Sequence, residues 1–307
     1  MNKKLGLVIG AMFAMGASQA AMATCKDIGT FAVVQAAANT AATKATGGYG
    51  LPMWVTVVDE SGMVCEVTTS NSETVGNAAN DWNVDTPVSG SKVGNKQWLG
   101  SRVISAQKAN TANAFSVDGY AISTANLNAP TNPGGSLYGL QHSNPIDASR
   151  AYGGGTSSYG TKSDYLRNKR IGGVNVFGGG LALYKNNVKI GAVGVSGDTS
   201  CRDHAFAWEV RKALQADDVP TGITAFNAGP DAVGDAALVV ALTNAAGGAV
   251  IGDELIIDVT KSSPGIQENA GHIVAGGSPY WSNWSQPQCP VTALTHESYV
   301  FVGPALQ

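Results

Sequence analysis

The sequence predicts an α+β domain in which helices cover an antiparallel sheet. Three observations predict it. Two pairs of short apolar segments are joined by tight turns, Asp59-Glu60-Ser61-Gly62 and Asn186-Asn187, and strands joined so closely must run antiparallel. Three longer segments carry apolar residues every three or four positions, the helical period. The 39 Gly and 12 Pro among 307 residues call for many turns and short elements rather than a helical bundle.

Taken in order, residues 27–46 read as the first helix, with Ile28, Phe31, Val34, Ala38, Ala41 and Ala45 recurring along it and Gly47-Gly48 ending it. Residues 53–58 and 63–69 are the strands of the first hairpin, rich in branched and aromatic side chains. Residues 71–95 are polar and rich in Gly and Asn, a loop. Residues 98–115 form the second helix, with Leu99, Val103, Ala106 and Phe115 on one broad face, and its many Ala residues suit close packing on a sheet. Residues 123–169 are a long irregular insertion, and loops of such length inside a compact domain carry function or move. Residues 174–177, 181–184 and 188–195 are strands, with a sharp corner at Gly178-Gly179-Gly180. The third helix opens at Asp198-Thr199-Ser200, where Ser200-x-x-Asp203 fits a capping box, and runs to about Leu214. After Val219-Pro220 the texture changes. Short strands are expected at 238–242, 255–259 and 299–302, around a turn with Tyr280, Trp281 and Trp284.

The expected organisation is a signal peptide over 1–23, a domain over 24–215 and an accessory extension over 216–307. The start is basic at Lys3 and Lys4, then apolar, then small-x-small before Ala23, the pattern of a cleaved export signal. A membrane anchor or lipid attachment at Cys25 are the alternatives. The apolar run is short for a span of about 20 residues, and Met22-Ala23-Thr24 is a poor lipidation context. The mature chain is therefore expected to be periplasmic or secreted, with no membrane segment left. Four cysteines remain, and in an exported chain an even number reads as disulfides. Three pairings are possible. Cys25–Cys65 would tie the first helix to the first hairpin. Cys201–Cys289 would then staple the tail, contributing on the order of 4 kcal/mol across so long a loop.

Composition excludes several classes. Hydrophobic residues are 44% and charged residues only 13%, which argues against charge-driven disorder. The net charge of −3, or −5 once Lys3 and Lys4 leave, argues against a nucleic-acid surface. No C-x-x-C motif occurs, so neither haem attachment through C-x-x-C-H nor a rubredoxin-like centre is supported. Gly194-Val195-Ser196-Gly197 is not a nucleophile elbow, because its second Gly comes one residue early. Gly191, Gly194 and Gly197 follow a hairpin rather than a βαβ unit, so they are not a dinucleotide fingerprint. Their expected use is close backbone approach.

Three stretches carry a family resemblance. Val57-Val58-Asp59-Glu60-Ser61-Gly62 resembles the first hairpin of the GlcG/HbpS-like haem-binding family, also met as the C-terminal domain of PduO-type proteins. Ala106-Gln107-Lys108-Ala109-Asn110-Thr111-Ala112 resembles its central helix. Gly178-Gly179-Gly180-Leu181-Ala182-Leu183-Tyr184 followed by Val188-Lys189-Ile190-Gly191-Ala192-Val193-Gly194-Val195-Ser196-Gly197 resembles its most recognisable hairpin. The similarity spans about residues 27–214. It implies a profilin-like α/β/α arrangement, a five-stranded antiparallel sheet, frequent homo-oligomers and, in some members, binding or breakdown of haem or a related tetrapyrrole.

Candidate site residues follow from chemistry at each position. His204 lies in the first turn of the third helix beside Asp203, and a carboxylate can orient an imidazole that ligates iron. His204, Trp208 and Arg211 share one side of that helix, suiting a haem edge and a propionate. The plainer reading is that Asp203 caps the helix and His204 is structural. His142, in the long insertion, is a second candidate axial ligand or an ordinary loop residue. His272 and His296 in the extension are weaker. Lys108 stands at the family's helix Lys and would meet an anionic group, unless it lies on a solvated face. Tyr152, Tyr159 and Tyr165 would stack on a flat ligand or pack the loop. Cys201-x-x-His204 is half of a zinc spacing without its second half.

Three functions are carried forward. The first is an exported haem-binding or related small-ligand-binding protein. The second is an exported structural oligomer that keeps the fold and has lost the ligand site. The third is an enzyme that degrades haem or acts on a small organic acid. No nucleophile–base pair is apparent in the sequence.

Overall fold

The computed structural model describes residues 22–44, 51–70, 98–220, 253, 255–258 and 299–302. Its centre is a four-stranded sheet in the order β2-β1-β4-β3, formed by β1 (Trp54–Asp59), β2 (Val64–Thr69), β3 (Gly180–Lys185) and β4 (Val188–Ser196). Every neighbouring pair is antiparallel. Both expected hairpins are present. Asn186 and Asn187 take φ of 52° and 61°, the left-handed pair that a two-residue turn of matching twist requires.

Residues 174–177 do not form a strand. Gly172 and Gly173 take φ of 67° and 82°, which turns the chain away from an extended path. The Asn175 amide then donates to Thr111 Oγ1 on the neighbouring helix at 3.0 Å instead of to a strand. Among the described residues the sheet therefore has four strands.

Helices cover both faces. α1 (Cys25–Ile28), α2 (Phe31–Ala42) and α6 (Ser200–Ala213) lie on one side. Val34, Ala38, Ala41, Phe206 and Val210 bury there against Val55, Val57, Leu181, Val193 and Val195. α3 (Ser101–Phe115) lies on the other, burying Val103, Ala106, Ala109 and Ala112 with Trp54, Val58, Val67 and Ala192. The first helix is broken rather than continuous. Gly29 takes φ of 139°, a conformation outside any helix, and α2 restarts after Thr30.

Small residues set the spacing of α3 on the sheet. A Cβ on Gly194 would lie 1.9 Å from the Ser105 carbonyl oxygen, and one on Gly180 would lie 2.5 Å from that of Lys108. Gly194 thus lets strand and helix backbones touch, and a Cβ on Gly191 or Gly197 would fall on the Val58 or Pro52 carbonyl, the close backbone approach expected of the Gly191, Gly194 and Gly197 series.

The insertion is held down by α3. Arg102 meets Asp164 through two hydrogen bonds, donates to the Ala151 carbonyl at 3.2 Å and stacks 3.7 Å from the Tyr159 ring centroid. Two short helices, α4 (Leu140–Ser143) and α5 (Ala148–Ala151), punctuate it. Beyond the domain, β5 (Leu255–Asp258) and β6 (Tyr299–Val302) pair in parallel. The strand expected at 238–242, the loop expected at 71–95, most of the segment expected to be an export signal, and Cys289, His272 and His296 lie outside the described residues. Among the described residues no helix is long and apolar enough to cross a membrane.

Cys25 and Cys65 form a disulfide, the pairing that ties the first helix to the first hairpin. Cys201 is disulfide-bonded too, and no described cysteine is free.

Candidate functional site

The chemistry-bearing side chains gather where β3 begins, β4 ends and α6 starts. Lys108, on α3, donates from Nζ to Asp203 Oδ2 at 2.7 Å and to the Val195 carbonyl at 3.0 Å. The second oxygen of Asp203 accepts from the Asp198 amide at 3.0 Å. Phe177 covers the ammonium, 5.0 Å from its ring centroid, and is 37% exposed. The glycine corner is shaped around this pair. Gly179 takes φ of 119°, and a Cβ there would stand 3.0 Å from both Lys108 Nζ and Asp203 Cβ. The signature glycines thus wrap a buried ion pair that the sequence placed on two separate helices.

Both members are removed from water, and burial dominates their protonation. It lowers the Lys108 ammonium below its ordinary 10.5, and the Asp203 charge pulls it part of the way back. It raises the Asp203 carboxyl to about 6, with Lys108 opposing the rise. Arg202 joins through Asp198 at 3.4 Å, and burial lowers its pKa as well.

The start of α6 differs in detail from the capping box expected at Ser200. Thr199 is the N-cap, its hydroxyl accepting from the Arg202 amide at 3.2 Å. Asp203 turns its carboxylate to Lys108 and to the Asp198 amide instead.

Further along α6, His204, Trp208 and Arg211 do share one side. The rings of His204 and Trp208 stack at 6.4 Å, and the Arg211 guanidinium lies 4.4 Å from the Trp208 ring. His204 is completely buried. Arg211 forms a bidentate pair with Asp253, at 2.5 and 3.1 Å. Lys108 and Arg211, the two cations expected to meet a ligand's carboxylates, are therefore each paired within the chain. Lys108 is not on a solvated face.

His142 is apart from this cluster. It lies on α4 with its side chain exposed, on the same insertion as exposed Tyr138 and Tyr152. Tyr165 is 37% exposed with Lys169 over its ring, while Tyr159 is buried beneath Arg102. Arg102, Asp164, Asp198 and Phe177 were not singled out from the sequence. The Asp198-Thr199 step before a helix was the one local signal among them. Pairings such as Arg102 with Asp164, 62 residues apart, leave none.

No curated protein matches the chain. Two of the solved structures that align with it are the following. The Klebsiella pneumoniae protein ORFY, assigned to DUF336, is 24% identical, covers 66% of this chain and 97% of its own, and superposes with a TM-score of 0.39. A PduOC:heme complex is 22% identical, covers 59% of this chain and 89% of its own, with a TM-score of 0.35. Residues 91–212 match the model of a family described as haem degrading protein HbpS-like. That segment holds α3, the insertion, the β3–β4 hairpin and α6, and it leaves the first hairpin outside. Over residues 91–212, the resemblance carried by the helix and hairpin motifs is thus shown to be one to the HbpS-like family.

Proposed function

We propose that the chain is an exported protein that binds haem or a related flat, anionic tetrapyrrole, working as a homo-oligomer in the periplasm or outside the cell. The observation that carries this reading is the HbpS-like match over residues 91–212, which contains the leading candidate ligand-binding residues Lys108, His142, Asp203, His204 and Arg211 and leaves out His272 and His296. On this reading the sheet gains a fifth strand to complete a profilin-like arrangement, and the segment before Thr24 is the export signal.

Accessibility separates the two imidazoles. An iron ligand must present a nitrogen to the metal. His142 is exposed, with Tyr138 and Tyr152 on the same segment as stacking surfaces. His204 is completely buried, with Trp208 stacked beside it. We therefore assign the iron ligand to His142 and give His204, with Asp203 and Lys108, a structural role where α6 meets the sheet and α3.

A haemin titration of residues 24–307 tests this. The expected result is a saturable, shifted Soret band that is lost in His142→Ala. A spectrum identical to free haemin in the unsubstituted protein would overturn the reading.

The second reading is a structural oligomer without a ligand. It draws on one observation: Lys108 and Arg211 are already neutralised by Asp203 and Asp253. A colourless, stable oligomer that ignores haemin would favour it. Loss of haem absorbance on adding a reductant in the presence of dioxygen would instead favour a degrading enzyme.

A further inference from the structure

The disulfide lies beside a carboxylate that it does not satisfy. Cys25 Sγ, Cys65 Sγ and an Asp59 oxygen all fall within 4.8 Å of one another. The three hydrogen bonds that the Asp59 side chain accepts, from the Ser61 amide, the Ser61 hydroxyl and the Met63 amide, all go to Oδ1. Oδ2 faces the sulfurs, 3.7 Å from Cys25 Sγ. A disulfide sulfur has no hydrogen to donate. Asp59, a residue only 5% exposed, thus aims one carboxylate oxygen at a group that offers it nothing in the oxidised state.

We propose that these three residues form a metal site in the reduced protein, taking a soft or borderline divalent ion such as Zn²⁺. Two thiolates and one carboxylate are a familiar donor set for such an ion. Tetrahedral coordination with bonds of about 2.3 Å to sulfur and about 2.0 Å to oxygen places neighbouring donors roughly 3.5–3.8 Å apart. The Asp59–Cys25 separation already has that length. Opening the S–S bond lets the second sulfur take its own corner.

The fourth position has a route to solvent. Cys25 and Cys65 line a groove of about 680 Å³ whose walls include Lys26, Phe31 and Arg167. A small dithiol reductant that enters it supplies two electrons and two protons. The S–S bond breaks to two thiols, and the reductant leaves as its own disulfide. Metal binding then displaces the two thiol protons to solvent. This site is independent of the haem reading.

The test uses the full chain, reduced with dithiothreitol and desalted without oxygen, then titrated with Co²⁺. A thiolate-to-cobalt charge-transfer band saturating at one ion per chain is expected, with none in the oxidised protein. Cys65→Ser should abolish it. Asp59→Asn keeps the disulfide and the Oδ1 turn contacts, and should weaken binding by roughly tenfold or more. Cys201→Ser should leave the band intact. No band in the reduced protein, equal binding in Asp59→Asn, or a band lost only in Cys201→Ser would each overturn the proposal.

Discussion

Lys108 Nζ and Asp203 Oδ2 lie 2.7 Å apart, with side-chain exposures of 0% and 2%, and join the helices on opposite faces of the sheet. Breaking such a pair leaves a charge stranded away from water. Lys108→Met should cost about 3–5 kcal/mol, while Lys108→Met with Asp203→Leu should recover much of that loss. Urea unfolding of the two variants measures the difference. A double variant no more stable than the single one would contradict the argument.

The same pair sets a pH dependence. Burial raises the Asp203 carboxyl from its ordinary 3.8 to about 6, so across that window the folded chain holds a proton that the unfolded chain has released. Stability from this group is therefore greatest at low pH and falls as pH rises from about 4 to about 6. Asp203→Asn should remove that slope. Urea midpoints of the two proteins across the window check the sign.

Arg102 anchors the insertion by reaching Asp164, the Ala151 carbonyl and the Tyr159 face at once. A lysine is a point charge and cannot reproduce the fork or the stacking. Arg102→Lys should loosen the insertion, and limited proteolysis should cut first within residues 134–165. Arg150→Lys, at an exposed pair, should leave the digestion pattern unchanged.

Gly194→Ala should destabilise by roughly 1–3 kcal/mol or more, because its methyl would fall on the Ser105 carbonyl. At about 2–4 °C per kcal/mol for a domain of this size, calorimetry resolves the change. Gly100→Ala, with open space around it, is the control.

His204 and His142 should separate cleanly. His204→Ala empties a buried site, so it should lower stability by roughly 2–5 kcal/mol. Where the fold survives, the Soret shift should persist. His142→Ala should leave stability within about 0.5 kcal/mol, as exposed substitutions do, and abolish the shift.

Much of the sheet was legible because its signals are local. The Asn186-Asn187 turn and the alternation around it define a hairpin without reference to anything distant. The α6 boundaries were close for the same reason. What failed was decided by tertiary partners. Residues 174–177 alternate like a strand, yet Thr111 takes the Asn175 amide. The helical period runs through Gly29, which adopts a backbone that the period does not register. For the candidate site, the sequence placed Lys108, Asp203 and Arg211 at notable positions. It could not show that Asp203 and Asp253 already neutralise the two cations, since charge pairing across 95 or 42 residues leaves no pattern along the chain.

The contact between Gly194 and Ser105 leaves no room for sliding. A helix seated backbone to backbone on two strands can neither rotate nor translate without prising the strands apart. α3 and the β3–β4 hairpin therefore respond to force as one stiff plate. Among the described residues, the 134–165 stretch lies outside that plate and is fastened to it by Arg102, so the stiffness of that stretch rests on one guanidinium rather than on the sheet.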